Sequence, residues 1–154
     1  MKRLAVYMAL VLTGLIFLGA TEASGQKKMI KGPVIWQAAD LKWVEIPNTG
    51  GQKQAVLWGD PEKGAYGALY KFPAGAKFPL HYHTNSMKVV IISGTWLYTP
   101  EGGKENRLGP GSYLSYGAKD RHVSGTAEGS ECVFFIEQPG KFDMVPIEAP
   151  KEKK

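Results

Sequence analysis

From residue 53 onward the chain alternates short apolar-rich runs with clusters of glycine, proline, asparagine and charge, and no apolar stripe of helical period is sustained anywhere along it. The runs 54–58, 65–72, 87–93, 95–99, 112–116, 121–124 and 131–137 read as strands. "GDPEKG" from Gly59, "PAGA" from Pro73, "PEGGKEN" from Pro100, "GPG" from Gly109 and "AEGS" from Ala127 read as the turns between them. Because side chains alternate faces along a strand, Met87, Val89 and Ile91 belong to one face and Lys88 and Val90 to the other. Many short strands joined by tight turns predict an all-β protein, an antiparallel sandwich or small barrel. The segment from Lys141, with Pro146 and Pro150, is expected to cover the sheets and end in a basic tail.

Composition agrees with one globular domain: 154 residues, 44% of them hydrophobic, with 19 glycines and 10 prolines spread as punctuation rather than gathered in one tract. The first residues differ in kind. Lys2 and Arg3 precede an uncharged apolar run to Ala20, and small residues follow at Ala23 and Gly25, the layout of a secretory signal peptide. The expected organisation is a signal peptide over 1–25, a linker over 26–32, one domain over 33–147 and a basic tail over 148–154. Such a protein works in the periplasm or is secreted, with no membrane association beyond the N-terminal signal; an uncleaved anchor is the alternative.

Export to an oxidising compartment makes cysteine usage informative. Cys132 is the only cysteine, so no intrachain disulfide framework exists. It lies in the apolar run "ECVFFIEQ", where a buried, inert thiol is expected. The formal charge of +5 becomes +4 once Lys2, Arg3 and Glu22 leave with the signal. With neither a basic stripe nor a helix to enter a groove, that excess gives no basis for binding nucleic acid.

The chain has three histidines, and two of them, His81 and His83, stand two apart in "FPLHYHTNSMKVV". On a strand they project from one face while Tyr82 points away, a geometry that suits one metal ion. His122 follows a turn cluster and opens another run, where a neighbouring strand can bring it opposite the pair.

Gly75, five residues, His81, Tyr82, His83, three residues, Met87, six residues and Gly94 make a pattern that resembles the first motif of the cupin superfamily, with Met87 where the family usually carries a glutamate ligand. Gly111, Gly117, Lys119, His122 and Thr126 fall at the positions of its second motif, and Gly111 and His122 match by identity. The phrase "AVLWGDPEKGAYGALYKFPAGAKFPLHYH" is also similar to the cupin-like domain of some anti-sigma factors. The resemblance covers roughly residues 53–138 and implies a conical β-barrel, or double-stranded jelly roll, around a cavity, with a divalent metal held by His81, His83 and His122. Iron is the first choice, with zinc, copper, nickel or manganese as alternatives.

Met87 is either apolar packing or a fourth, thioether ligand that would favour copper. Three neutral ligands leave the ion its full charge, which favours a small anionic or oxygenated guest. The resemblance to cupins, some of whose dioxygenases hold iron through three histidines without the acid, implies a dioxygenase-like reaction. The catalytic residues themselves stay unassigned. Candidate cavity walls are Trp58, Leu69, Val89, Trp96, Tyr113 and Phe134. The rival reading is a non-catalytic module that binds or senses a metal or small molecule. Homodimerisation, with Trp36 and Trp43 as candidates for the interface, is a further expectation from the family.

Overall fold

The computed structural model describes residues 32–148. The expected signal peptide, nearly all of the linker and nearly all of the basic tail lie outside these residues. The strands belong to the compact unit that begins at Ile35, and among its described residues the regular structure is all β apart from a single 3-10 turn at Ala38–Asp40. Among the described residues no helix is long and apolar enough to cross a membrane.

The strands are β1 (Val44–Glu45), β2 (Lys53–Gly59), β3 (Tyr66–Phe72), β4 (Lys77–Tyr82), β5 (Met87–Ser93), β6 (Trp96–Pro100), β7 (Asn106–Leu108), β8 (Tyr113–Tyr116), β9 (His122–Thr126), β10 (Cys132–Gln138) and β11 (Val145–Pro146). They form two antiparallel sheets, one ordered β1-β2-β3-β10-β5-β8 and the other β11-β4-β9-β6-β7. No described strand belongs to both sheets, so the domain is a jelly-roll sandwich with the hydrogen-bonded ladder left unclosed.

The central strands of the larger sheet alternate cleanly. In β10, Cys132, Phe134, Ile136 and Gln138 are buried while Val133, Phe135 and Glu137 are less so, and in β5 Met87, Val89 and Ile91 are buried while Lys88 and Val90 are exposed. Register ties the inward faces together: Ala68 of β3 stands beside Ile136 of β10, which stands beside Val89 of β5. Across the sandwich these residues meet Trp96 and Tyr98 of β6 in one apolar core. Each large apolar side chain buried there contributes about 1.5–3 kcal/mol. The core is strongly aromatic: Phe134 lies edge-on to Phe72 at 5.0 Å between centroids and 4.8 Å from Trp96.

Two local features set the course of the chain. Gly94 turns β5 into β6 at φ +74°, and a Cβ there would stand 2.3 Å from the carbonyl oxygen of Glu131. In β2 a register shift between Val56 and Trp58 inserts Leu57 as a bulge, so that Trp58 pairs with Gly67 on the outer face and its indole fills the space a Gly67 side chain would take. The segment leading into β1 contacts this sheet within the chain: the Trp36 indole N–H donates to the carbonyl of Leu57 at 3.1 Å, and the Lys71 ammonium lies 4.8 Å from the Trp43 ring centre. Dimerisation through these residues remains an expectation.

Candidate metal centre

His81 is the last residue but one of β4 and His122 begins β9, and the two are direct partners in that antiparallel pair. His83 follows β4 immediately, with Tyr82 between them turned the other way. The three rings are buried at 3%, 5% and 1% exposure, and one ring nitrogen from each lies within 4.8 Å of the others. Ring centroids stand 4.3 Å apart for His81 and His122, 5.0 Å for His81 and His83, and 5.5 Å for His83 and His122.

Each imidazole is oriented by a backbone carbonyl. Nδ1 of His81 contacts the carbonyl of Pro79 at 2.7 Å, Nδ1 of His122 that of Asp120 at 2.9 Å, and Nδ1 of His83 that of Asp143. A carbonyl can only accept, so every Nδ1 carries the proton and every Nε2 of the neutral ring keeps a free lone pair. Burial holds all three imidazoles below their ordinary pKa, and His122 is pushed down to about 4. At neutral pH the cluster therefore presents three uncharged nitrogen donors. Nδ1 held by a carbonyl with Nε2 free is the arrangement typical of metal-bound histidine, so the donor set fits a divalent ion.

Met87 reaches the same cavity from the larger sheet and is 2% exposed. Its neighbour in register is Tyr116 of β8, whose phenol donates to the Met87 sulfur at 2.9 Å. The Tyr116 ring packs 4.8 Å from His122 and is stacked on Tyr98 at 5.7 Å.

A strap over residues 141–147 lies along the smaller sheet. Its β11 pairs with Tyr82 and His81, and Ile147 N–H donates to Leu80 at 2.9 Å. Phe142 N–H donates to Pro61 at 2.7 Å, and the carbonyl of Lys141 accepts from Asn85 at 3.1 Å and Gln138 at 2.9 Å. The Asp143 carboxylate accepts from the amide of Thr84 at 2.8 Å and from its hydroxyl. The strap thus holds the carbonyl that orients His83 and brings Phe142 within 5.5 Å of that ring.

The histidines open on a cavity of about 510 Å³ between the sheets. Val89, Trp96 and Phe134 line it, joined by Tyr70, Phe72, Phe78, Ile136 and Met144. Three other expected wall residues lie elsewhere. Leu69 pairs with Phe135 and faces outward with it; Tyr113 pairs with outward-facing Val90 and is 60% exposed. Trp58 is 43% exposed because the bulge at Leu57 reverses its face. Each case is a one-residue phase of strand alternation, which neighbouring strands fix and composition does not.

The roles of Asp143 and Tyr116 escaped the sequence reading. Both act through hydrogen bonds to residues far away in the chain, with no local spacing to signal them. Tyr66, Tyr70 and Gln138 likewise form a buried chain in which the Tyr70 hydroxyl donates to Tyr66 at 3.4 Å and Tyr66 to Gln138 at 3.3 Å. Alternation marks their burial but not their partners.

Solved structures of the same fold include an RmlC-like cupin protein from Ralstonia eutropha JMP134, at 25% identity, a TM-score of 0.62 and coverage of 78% of this chain and 78% of that one. The polyketide cyclase RemF from Streptomyces resistomycificus is similar at 16% identity and a TM-score of 0.63, covering 80% of this chain and 89% of that one. A putative acetylacetone dioxygenase from Methylibium petroleiphilum PM1 is similar at 24% identity and a TM-score of 0.57, covering 77% and 86%. A search of curated proteins finds no match. A model described as "Domain of unknown function (DUF4437)" matches residues 7–145, and with the two sheets and the motif glycines and histidines in place the chain belongs to that family and has the cupin fold.

Proposed function

We propose that this protein is an exported, single-domain cupin that holds a divalent metal on His81, His83 and His122 and uses it on a small oxygenated organic molecule in an oxygenase-like reaction. The observation that carries the reading is the shared orientation of the three rings, each with Nδ1 committed to a backbone carbonyl and all brought within 4.8 Å by buried elements. Iron is the metal we favour. A divalent ion held there supplies Lewis acidity toward substrate oxygens and, for iron, electron exchange with dioxygen.

The chain's own residues supply the rest. His81, His83 and His122 are neutral donors, so the charge of the ion is left for an enolate, phenolate or carboxylate oxygen of the guest. Phe72, Phe78, Trp96 and Phe134 exclude water and orient the guest by contact. Met87 acts as wall, because its sulfur already accepts from Tyr116. Fold relatives described as a polyketide cyclase and an acetylacetone dioxygenase support an oxygenated organic substrate by analogy of fold.

One observation favours the second reading, a sensing module: His83 is tied to a surface strap that also carries Phe142 and Met144 into the cavity, so occupancy of the site and position of the strap are linked. Metal analysis of protein from its native compartment, compared with His81→Ala and His122→Ala, tests the site; equal metal in all three rejects it. Oxygen uptake by iron-loaded protein with diketones, catechols and hydroxyaryl ketones then separates enzyme from sensor, and no uptake with any of them rejects the oxygenase.

A further inference from the structure

Among the described residues the cavity wall contains no lysine and no arginine, and its only charged side chain is that of Glu62, at the exposed edge beside Pro61. A second carboxylate, that of Asp143, lies near His83 on the strap. Beside the histidines the remaining polar groups are neutral, among them Asn48, Gln52, Gln54, Tyr70, Tyr116 and Ser124. Against them stands a continuous aromatic surface in which Phe78 is 6.0 Å from Trp96 and 6.4 Å from His81, so that it runs up to the histidines.

Resting on the metal reading above, we infer that the site selects guests whose only negative charge is the one formed on the metal-binding oxygens: neutral molecules with an aromatic or conjugated body and an adjacent oxygen pair, such as hydroxyaryl ketones and enolisable 1,3-diketones. A carboxylate or phosphate elsewhere on the guest would enter an apolar cavity without a cationic partner and pass Glu62 on the way. The ring contacts described above favour a guest that buries a flat face over one that is polyhydroxylated, because most of the cavity surface is apolar. A cavity of about 510 Å³ holds a body of one or two fused rings. The chelating oxygen loses its proton to solvent or buffer on binding, so the guest enters neutral and carries charge only at the ion.

The test uses zinc-loaded protein, which is redox-inert, and calorimetric titration with 1-acetyl-2-naphthol and with a derivative bearing a carboxylate on the distal ring. The neutral ketone is expected to bind at least tenfold more tightly. In Glu62→Lys, an exposed position that leaves the core untouched, the carboxylated compound should gain severalfold while the neutral one stays within twofold. Equal or tighter binding of the carboxylated compound to the unmodified protein overturns the inference, as does failure of the neutral ketone to bind. Metal-stripped protein separates the two readings. If it binds the neutral ketone as tightly as the zinc-loaded form, the metal reading fails, while preference for the neutral compound is still judged by its own ratio.

Discussion

The carbonyl of Asp143 accepts the Nδ1 proton of His83, while the carboxylate of the same residue grips both the amide and the hydroxyl of Thr84, the residue next to that histidine. One residue of the strap therefore fixes the tautomer of a candidate ligand and the loop that carries it. Asp143→Ala leaves the carbonyl but removes the grip on Thr84. The expected result is a fall in metal affinity of about tenfold, at the lower end for loss of an orienting contact, with little change in fold stability. Competition against a chromogenic chelator measures it; unchanged affinity would show that the strap does not hold His83.

Met87 and Tyr116 make a second pair with opposite consequences for two metals. Met87→Leu should keep the metal content of the purified protein, since three imidazoles remain. Tyr116→Phe removes the donor that occupies the sulfur and should raise affinity for Cu(I) by about tenfold, a gain the double variant Met87→Leu/Tyr116→Phe abolishes. Titration of Cu(I) under anaerobic conditions reads all three proteins. A loss of copper or iron in Met87→Leu alone would make the sulfur a ligand after all.

The histidines also impose a direction on acid stability. Burial lowers their pKa, that of His122 from an ordinary 6.5 to about 4, so between those values the unfolded chain binds more protons than the folded one. Stability of the metal-free protein is thus complete above about pH 6.5 and declines as pH falls toward 4, by on the order of 2 kcal/mol from this residue. Urea unfolding at pH 7.5 and pH 4.5 checks the sign; equal or greater stability in acid would contradict neutral burial.

Cys132 is fully buried, and burial pushes its thiol up to about 11. It should resist Ellman's reagent in the folded protein at pH 8 and react once per chain after denaturation. Rapid labelling of the native protein would refute its burial.

Gly94→Ala places a methyl group against the backbone of Glu131 at a positive φ, and is expected to cost several kcal/mol and lower the thermal midpoint by 10 °C or more, roughly. Gly94 was legible only as the closing glycine of the motif that resembles the cupin one, whereas the turns at Gly59, Pro73, Pro100, Gly109 and Ala127 were legible directly, because turn chemistry is local. So was the period of β5, where Met87, Val89 and Ile91 face inward as alternation alone predicts. The convergence of His81, His83 and His122 was legible through motif spacing. Strand phase was not, and Trp58 shows why: a bulge at Leu57 reverses the face of everything beyond it in β2, and no residue in "QAVLWG" announces a bulge. Strands β1, β7 and β11 were missed as well, being two or three residues long and stabilised by partners elsewhere.

Because the ladder stops at the rim of each sheet, the two layers are joined by connecting loops and side-chain packing, and their separation can adjust without breaking a strand pair. The pocket should therefore act like a jaw, firm where Phe72, Phe78, Trp96 and Phe134 pack together and able to give at the loops 46–52 and 61–62. Guests that share one metal-binding head while differing in the bulk of their tails are then accommodated by the same three imidazoles, and selectivity should fall off gradually with tail size and sharply with any change at the head.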